Sequence, residues 1–144
     1  MKKTIAVLLL IFTLTVFFGC AEQKVSYMEG TFLEKSDTLG EEYGVEAGYG
    51  VINLTIKGDR FTICEYTLCD VDGGLKDNYY VYSLPVSQQK KALAVIEAGR
   101  TYCDKFISHQ GFKGWDPDPE AKATYEQFKR TMEKLLKRLE KTEE

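Results

Sequence analysis

The chain has a single histidine, His109, among its 144 residues. No triad of nucleophile, base and acid can be assembled around it, and the GxSxG, HExxH and P-loop motifs are absent. No paired CxxC motif accompanies His109, so the sequence also gives no reason to expect zinc. We therefore expect neither hydrolytic catalysis nor a metal site.

The sequence also lacks an excess of positive charge. Its 19 Lys and Arg residues are outnumbered by 22 Asp and Glu residues, which gives a formal net charge of -3. Proteins that bind nucleic acid present basic patches to the phosphates. A nucleic-acid partner is therefore not expected.

A hydrophobic run long enough to cross a membrane is missing as well. The apolar stretch from Ile5 to Phe18 falls short of the roughly 20 residues that a membrane-spanning helix needs. Lys2 and Lys3 precede this stretch. A short basic start followed by a brief apolar run is typical of a signal peptide, so we expect an exported protein.

The end of this run resembles the lipobox of bacterial lipoproteins. Phe17, Phe18 and Gly19 precede Cys20, with Phe17 at a position that is usually aliphatic in that family. The resemblance implies lipid on Cys20 and attachment to the cell membrane, facing outside the cytoplasm. Several acyl chains on Cys20 would hold the protein there, because one chain alone binds only marginally. The alternative is an ordinary signal peptide, a chance cysteine and a soluble product.

These features divide the chain into three parts. We predict a signal peptide over residues 1–19, a lipidated tether over residues 20–26 and one domain over residues 27–142. Cleavage removes two lysines and no acid, so the remaining 125 of the 144 residues have a formal charge of -5 rather than -3. That length suits a single domain with a modest core.

Three cysteines remain if Cys20 carries lipid. Cys64 and Cys69 fall in one predicted strand, five positions apart, so they should point to opposite faces, about 16 Å from each other. A disulfide, if one forms, should therefore join Cys103 to one of them. The alternative is that all three are buried thiols that pack as small apolar groups.

The clearest local pattern is a β-hairpin. Tyr49 to Lys57 and Arg60 to Cys69 flank a Gly58-Asp59 turn, and a two-residue turn fixes which residues face each other. The resulting pairs are Ile56 with Phe61, Leu54 with Ile63, and Lys57 with Arg60. Apolar pairs lie on one face and the charged pair on the other, as expected for a sheet with one buried face.

Further elements complete the predicted domain. We expect a short strand over Tyr27–Leu33, a turn-rich acidic loop over Ser36–Gly48, and another strand over Asn78–Leu84 that Pro85 ends. Ser87 should cap a helix that continues to about Gln110, and a last helix should run to about Lys141. The first helix should bury Leu93, Ile96, Tyr102, Cys103, Phe106 and Ile107, and the last should bury Tyr125, Phe128, Met132, Leu135, Leu136 and Leu139.

This order of elements predicts the fold class. Strands followed by two amphipathic helices indicate an α+β domain. We expect an antiparallel sheet of three or more strands, with the two C-terminal helices packed on one face.

Several of these segments together resemble the extracytoplasmic FMN-binding domains found in small bacterial lipoproteins and electron-transfer complexes. That family has glycine- and tyrosine-rich strands, a "VTIKDGKI" hairpin and a D-x-x-[ST]-G-A-[TS] motif that opens a helix. The corresponding residues here are Gly48-Tyr49-Gly50, then Leu54-Thr55-Ile56-Lys57-Gly58-Asp59-Arg60-Phe61, and later Asp118, Ala121, Lys122, Ala123 and Thr124. The resemblance covers most of residues 27–140.

The resemblance implies a flavin site near the start of the last helix. In that family the final Thr of the motif receives FMN through a phosphoester bond and the flavin carries electrons, which assigns that role to Thr124 here. Asp118 also matches the motif, and Tyr125 follows it with Tyr49 and Trp115 as further candidates for stacking on the flavin. Lys122 stands where the family has Gly, and its charge could hold a phosphate noncovalently.

Two functional hypotheses follow from this motif. The first is a lipid-anchored redox carrier or sensor that binds FMN and exchanges electrons with a redox partner. The second is a flavin-free member that serves as an interaction module or surface antigen, in which Ala121, Lys122 and Ala123 are ordinary helix formers and Thr124 an ordinary helix residue.

The start of the last helix decides between these hypotheses. Asp118 as cap with Pro119 in the first helical position is one favoured start, and Thr124 as cap with Gln127 three residues later is the other. The family's Gly would force the later start, but Ala121 and Lys122 remove that block, so we predict the early start. Thr124 should then lie in the second helical turn with its N–H engaged, and the covalent flavin site should be lost.

Overall fold

The structure is a computed structural model and describes residues 25–141. The predicted signal peptide, Cys20 and most of the predicted tether lie outside the described residues. Within that range the elements are β1 (Gly30–Lys35), a first 3-10 turn (Glu41–Glu46), β2 (Tyr49–Lys57), β3 (Arg60–Cys69), α1 (Asn78–Ser83), α2 (Val86–His109), a second 3-10 turn (Pro119–Ala121) and α3 (Lys122–Leu139). None of the helices in this range is both long and apolar enough to cross a bilayer.

The three strands form one antiparallel sheet in the order β1, β2, β3. Alternate residues of β2 point to one face, where Ile52, Leu54 and Ile56 are buried. The long helices α2 and α3 cover this face and bury their own apolar side chains against it. This arrangement confirms the predicted α+β class.

A β-bulge corrects the predicted hairpin register. Ile56 faces Phe61 as expected, but Thr55 faces Ile63 and Leu54 faces Cys64. Thr62 is thus the extra residue of β3, and its hydroxyl donates to the Thr55 carbonyl at 3.2 Å. The predicted pairing of Leu54 with Ile63 is wrong, because one inserted residue reverses the faces of every later side chain on that strand.

The segment predicted as a strand over Asn78–Leu84 is the short helix α1 instead. The Asp77 carboxylate accepts hydrogen bonds from the backbone N–H groups of Tyr79 and Tyr80, at 2.8 and 3.1 Å. This side-chain cap satisfies donors that a helix start leaves free and fixes the first turn. The cap thus outweighs the β-propensity of the tyrosines, on which the strand prediction relied.

Helix α2 differs from its prediction at its start and on one face. It begins at Val86 and follows Pro85, without a side-chain cap, so Ser87 lies inside the first turn and does not cap it. Leu93, predicted on the buried stripe, is 50% exposed, whereas Val95 and Ala92 are buried. The stripe that meets the sheet is therefore built partly from small residues, which let the helix approach closely.

Helix α3 joins the sheet through its apolar stripe and through ion pairs to β1. The predicted stripe is confirmed at Phe128 and Leu135, each fully buried. On the flank, Lys134 Nζ and Arg138 Nη1 lie 2.9 and 2.6 Å from the two carboxylate oxygens of Glu34, which is itself buried. A buried carboxylate needs such partners to offset its lost hydration.

The domain has two distinct ends. At the end we call the anchor end, Ser26 Oγ donates to Asp59 of the hairpin turn at 2.8 Å, and Met28 N donates to the carbonyl of Leu139, the last residue of α3, at 2.9 Å. β1 itself begins at Gly30, later than the predicted Tyr27. The opposite end, which we call the distal end, holds the first 3-10 turn, α1 and the N-termini of α2 and α3. The nine residues of β2 separate the two ends by roughly 25 Å.

Candidate functional site

The predicted flavin site lies at the distal end, where the chain enters α3. Asp118 caps this start, since its carboxylate accepts from Glu120 N at 2.8 Å and Pro119 follows it. The turn that it caps is a 3-10 turn, however, and the α-helix begins at Lys122. The predicted Asp118 cap is therefore present, but Thr124 lies in the first turn of α3 and not in the second.

Thr124 is held by a carboxylate from a distant part of the chain. Its backbone N–H and its hydroxyl both donate to Oε2 of Glu46, at 2.7 and 2.9 Å. Thr124 is 1% exposed and Glu46 is 8% exposed. The other carboxylate oxygen of Glu46 lies 3.9 Å from Lys91 Nζ.

The contact between Glu46 and Thr124 fills the anion site that the N-terminus of α3 would otherwise offer. The first N–H groups of an α-helix have no partner inside the helix, and the helix dipole favours a negative charge beside them. In the FMN-binding family, a phosphate on the motif threonine would take that place. Here the Glu46 carboxylate takes the place of the anion and also engages the Thr124 hydroxyl that a phosphoester would need.

The first 3-10 turn positions Glu46. Gly48, which follows that turn, has φ of +118° and such close packing that an added Cβ would lie 2.0 Å from the Cys69 carbonyl oxygen. The backbone of Gly48 also pairs with Leu39, with hydrogen bonds of 2.7 and 2.8 Å in the two directions. Only glycine suits this position, because glycine adopts a positive φ readily and has no Cβ that would clash with the Cys69 carbonyl.

A buried amide fastens the same loop to α3. Gln127 Nε2 donates to the carbonyls of Asp37 and Gly48, at 2.8 and 3.0 Å, and Gln127 Oε1 accepts from the Tyr66 hydroxyl at 2.9 Å. Burial raises the pKa of Tyr66 well above its usual value. The hydroxyl therefore stays protonated and remains a donor, so the network fixes the loop that carries Glu46 against α3.

A buried lysine supports the loop from the other side. Lys76 is 6% exposed, and its ammonium donates to the Val45 carbonyl at 3.0 Å. Burial lowers the pKa of Lys76 to about 8, against the opposing pull of Asp70 and Glu46. Near neutral pH the residue is thus a charged donor held next to the Glu46 turn, but at a cost in hydration.

The remaining residues of the predicted flavin site do not form a pocket with Thr124. Tyr125 is 7% exposed and meets Tyr102 and Trp115 edge-on, with ring centroids 5.3 and 5.5 Å away. Lys122 is exposed at the first position of α3. Tyr49 lies on the sheet face away from the helices, with Lys35 Nζ 3.6 Å above its ring. The rings proposed to stack on flavin are therefore core or sheet residues.

The residues present do not fit covalently bound FMN. The Thr124 hydroxyl, which would form the phosphoester, and the Thr124 N–H, which would bind the phosphate, are both engaged by Glu46. No open surface reaches the hydroxyl of a residue that is 1% exposed. A free helix N-terminus with a bare threonine would be needed instead.

A shallow groove of about 440 Å³ lies beside this contact. Its walls carry charges of both signs and no thiol or imidazole; the lining residues are Glu46, Ser87, Lys90, Lys91, Pro119 and Glu120. Between residues 25 and 141, no group of three or more His, Cys, Asp or Glu side chains is placed to hold a metal ion.

Sequence reasoning missed Glu46 and gave Gln127 a different role, as the possible capping-box partner of Thr124. Glu46 is one of several acids in a loop, alongside Glu41 and Glu42, and no local pattern distinguishes it from them. Gln127 did carry a signal, since it stands three residues after Thr124 on the apolar side of the helix. A polar residue on a buried stripe must find partners, and those partners are the carbonyls of the loop.

Comparison with protein-family models, with curated proteins and with solved structures finds no match for this chain.

Proposed function

We propose that this protein is an extracytoplasmic lipoprotein, anchored to the cell membrane through Cys20, whose domain binds no flavin at Thr124 and serves as an interaction module. Its work is then to hold and display a rigid distal end at a distance from the bilayer. This proposed role requires no catalytic residue.

One observation carries the proposal. The Glu46 carboxylate accepts both the N–H and the hydroxyl of Thr124 in a buried contact. The helix N-terminus already has its anion, and the motif threonine has no free oxygen for a phosphoester. On this proposal, the sequence resembles FMN-binding domains, but the domain does not carry the flavin that makes that family redox-active.

The two ends of the domain support an anchored display. The described chain enters at the hairpin turn, where Ser26 contacts Asp59, so a lipid on Cys20 would hold the anchor end near the membrane. The distal end then faces away from it. Large side chains there are strongly exposed, namely Tyr79 at 86%, Tyr82 at 75% and Val86 at 84%. Exposed aromatic residues of this kind are enriched where proteins meet partners.

The covalent redox carrier is the competing hypothesis. It requires that Glu46 leave Thr124 and that a flavin transferase reach the hydroxyl. Its support is the resemblance in sequence alone, because Tyr125 packs against Tyr102 and Trp115 and Tyr49 packs under Lys35.

The proposal is tested on the native protein in its own membrane. Membranes are washed and fractionated for wild type, for Cys20→Ser and for Cys69→Ser, the last being a matched control that removes a cysteine elsewhere. We expect only Cys20→Ser to lose the membrane-bound mature chain. Retention of Cys20→Ser at the wild-type level would contradict the anchor.

Flavin is tested on the same membrane preparation. The wild-type protein, purified in detergent, should show no absorbance near 450 nm, where flavoproteins absorb, and none should appear after FMN is added and removed by gel filtration. Stoichiometric flavin on the wild-type chain would contradict the interaction-module hypothesis and favour the redox carrier.

A further inference from the structure

Two thiols meet between the sheet and α2. Cys64 of β3 and Cys103 of α2 have their Sγ atoms 2.9 Å apart. Cys103 is 3% exposed and Cys64 is half-buried. The bulge at Thr62 is what turns Cys64 towards the helices, since the regular register would have pointed it to the opposite face.

We propose that Cys64 and Cys103 are joined by a disulfide in the exported protein. Bonded sulfur atoms lie about 2.05 Å apart, so the two Sγ atoms need to approach by less than about 1 Å. They belong to residues 39 positions apart in the chain, so the bond would tie the edge strand of the sheet to the helix that covers it. Compartments outside the cytoplasm are oxidising enough for such bonds to persist.

The third cysteine of the domain has no part in this pair. Cys69 lies opposite Tyr49 in the sheet, on the face turned away from α2. It is 6% exposed, under the loop that follows β3. The expectation that Cys64 and Cys69 point to opposite faces is therefore met, and of the two partners that sequence allowed for Cys103 the geometry selects Cys64.

The oxidation proceeds by thiol–disulfide exchange with an external disulfide, such as that of an extracytoplasmic thiol oxidase. The Cys64 thiolate attacks one sulfur of that disulfide, forming a mixed disulfide and releasing one thiolate. The Cys103 thiolate then attacks Cys64 Sγ, closing the internal bond and releasing the second thiolate. Two protons leave the protein thiols, and the external disulfide takes up two electrons.

The order of attack follows from the surroundings of the two thiols. The hydrogen bond to Cys64 and burial raise the pKa of the Cys103 thiol. Cys103 therefore loses its proton more readily after Cys64 has entered the mixed disulfide and this hydrogen bond is gone. Cys64 is the more accessible of the two. It is therefore the sulfur that meets the external disulfide first.

Peptide mapping of the full exported protein tests the proposal. The protein is purified from cells without reductant, its free thiols are blocked with iodoacetamide in denaturant, and it is digested with trypsin. Cleavage at Arg60, Lys76, Arg100 and Lys105 places Cys64 with Cys69 in one peptide and Cys103 in another. In wild type we expect these two peptides to be linked, with Cys69 carrying the one blocked thiol. In Cys69→Ala the same link should form and no blocked thiol should remain.

Other outcomes of the mapping would overturn the proposal. Three blocked thiols in the wild-type peptides, or a link that survives in Cys64→Ala and vanishes in Cys69→Ala, would each do so. Because the oxidising compartment rests on the proposed export, reduced wild-type protein is also treated with oxidised glutathione. If the link closes there but is absent from cells, the geometry holds and the export fails; if it closes in neither, the geometry itself is wrong.

Thermal melting gives an independent measurement. A cross-link over a loop of this length should make reduction by dithiothreitol lower the melting temperature of wild type and of Cys69→Ala by roughly 10 °C or more. The same reductant should leave Cys103→Ala unchanged. An equal response of all three proteins to reductant would overturn the proposal.

Discussion

Removing the carboxylate of Glu46 should destabilise the domain far more than its place in an irregular loop suggests. Glu46→Ala leaves the buried N–H and hydroxyl of Thr124 without an acceptor. Hydrogen bonds to charged groups contribute about 1.5 to 3 kcal/mol each, and an anion at a helix N-terminus adds about 0.3 to 1 kcal/mol. Because both bonds end on one carboxylate oxygen, their contributions overlap, and we expect a loss of about 3 to 5 kcal/mol, a large part of the stability of a domain this size.

Urea unfolding of the purified chain in detergent, followed by circular dichroism, measures this loss. Glu42→Ala is the matched control, because Glu42 belongs to the same 3-10 turn but is exposed; it should cost less than about 0.5 kcal/mol. Glu46→Gln keeps one acceptor and should lie between the two. A double-mutant cycle with Thr124→Val should give a coupling of at least about 1 kcal/mol. Equal losses for Glu46→Ala and Glu42→Ala would refute the account of this contact.

Three further predictions concern the loop and the hairpin. Burial lowers the pKa of Lys76 to about 8 in the folded chain, so between about pH 8 and 10.5 the unfolded chain binds more protons and the free energy of unfolding rises with pH. Relative to Lys76→Met, urea unfolding should show that wild type gains about 2 kcal/mol from pH 7.5 to 9.5. Parallel pH profiles for the two proteins would contradict this. Phe61→Ala should lower the free energy of unfolding by about 2 to 5 kcal/mol, whereas Arg60→Ala should lower it little, since Phe61 is buried and Arg60 is exposed. Equal melting temperatures of the two variants would contradict the assignment of Phe61 to the core face. Gly48→Ala should unfold at a much lower temperature than Gly58→Ala, because both have positive φ but an added Cβ clashes with backbone only at Gly48; similar melting temperatures would argue against the tight approach of Gly48 to Cys69.

The hairpin shows how far sequence patterns reach. Its turn and the pair of Ile56 with Phe61 follow from the turn residues and the alternation next to them. The bulge at Thr62 was missed because the prediction extended one register along both strands. A signal was present nonetheless, since the apolar positions of β3 change parity along the strand, from Phe61 and Ile63 to Tyr66 and Leu68. Parity shifts of this kind indicate a bulge.

The helix α1 shows where local propensity misleads. Three tyrosines in six residues favour a strand, yet Asp77 caps the segment and Val81 alone is deeply buried. A single capping side chain decides between the two structures here. The segment is too short for the spacing of its apolar residues to distinguish a helix from a strand.

The contact between Glu46 and Thr124 could not be predicted from the sequence at all. The two residues are 78 positions apart, and their meeting depends on how the loop before β2 folds over the start of α3. The motif itself indicated only that the residues around Thr124 begin a helix. Long-range contacts of this kind depend on the tertiary fold, which patterns of neighbouring residues do not specify.

The central claim, which rests on the proposed function, is that the Glu46 carboxylate engages the N–H and the hydroxyl of Thr124 and so prevents flavin attachment there. Its most direct test is coexpression with a flavin transferase, followed by intact-mass analysis of wild type and of the Ala121→Ser, Lys122→Gly double variant, with and without Glu46→Gln. We predict an unmodified wild-type mass, and FMN addition only where the motif is restored and the carboxylate removed. An FMN-sized mass increase on wild-type Thr124 would contradict the claim.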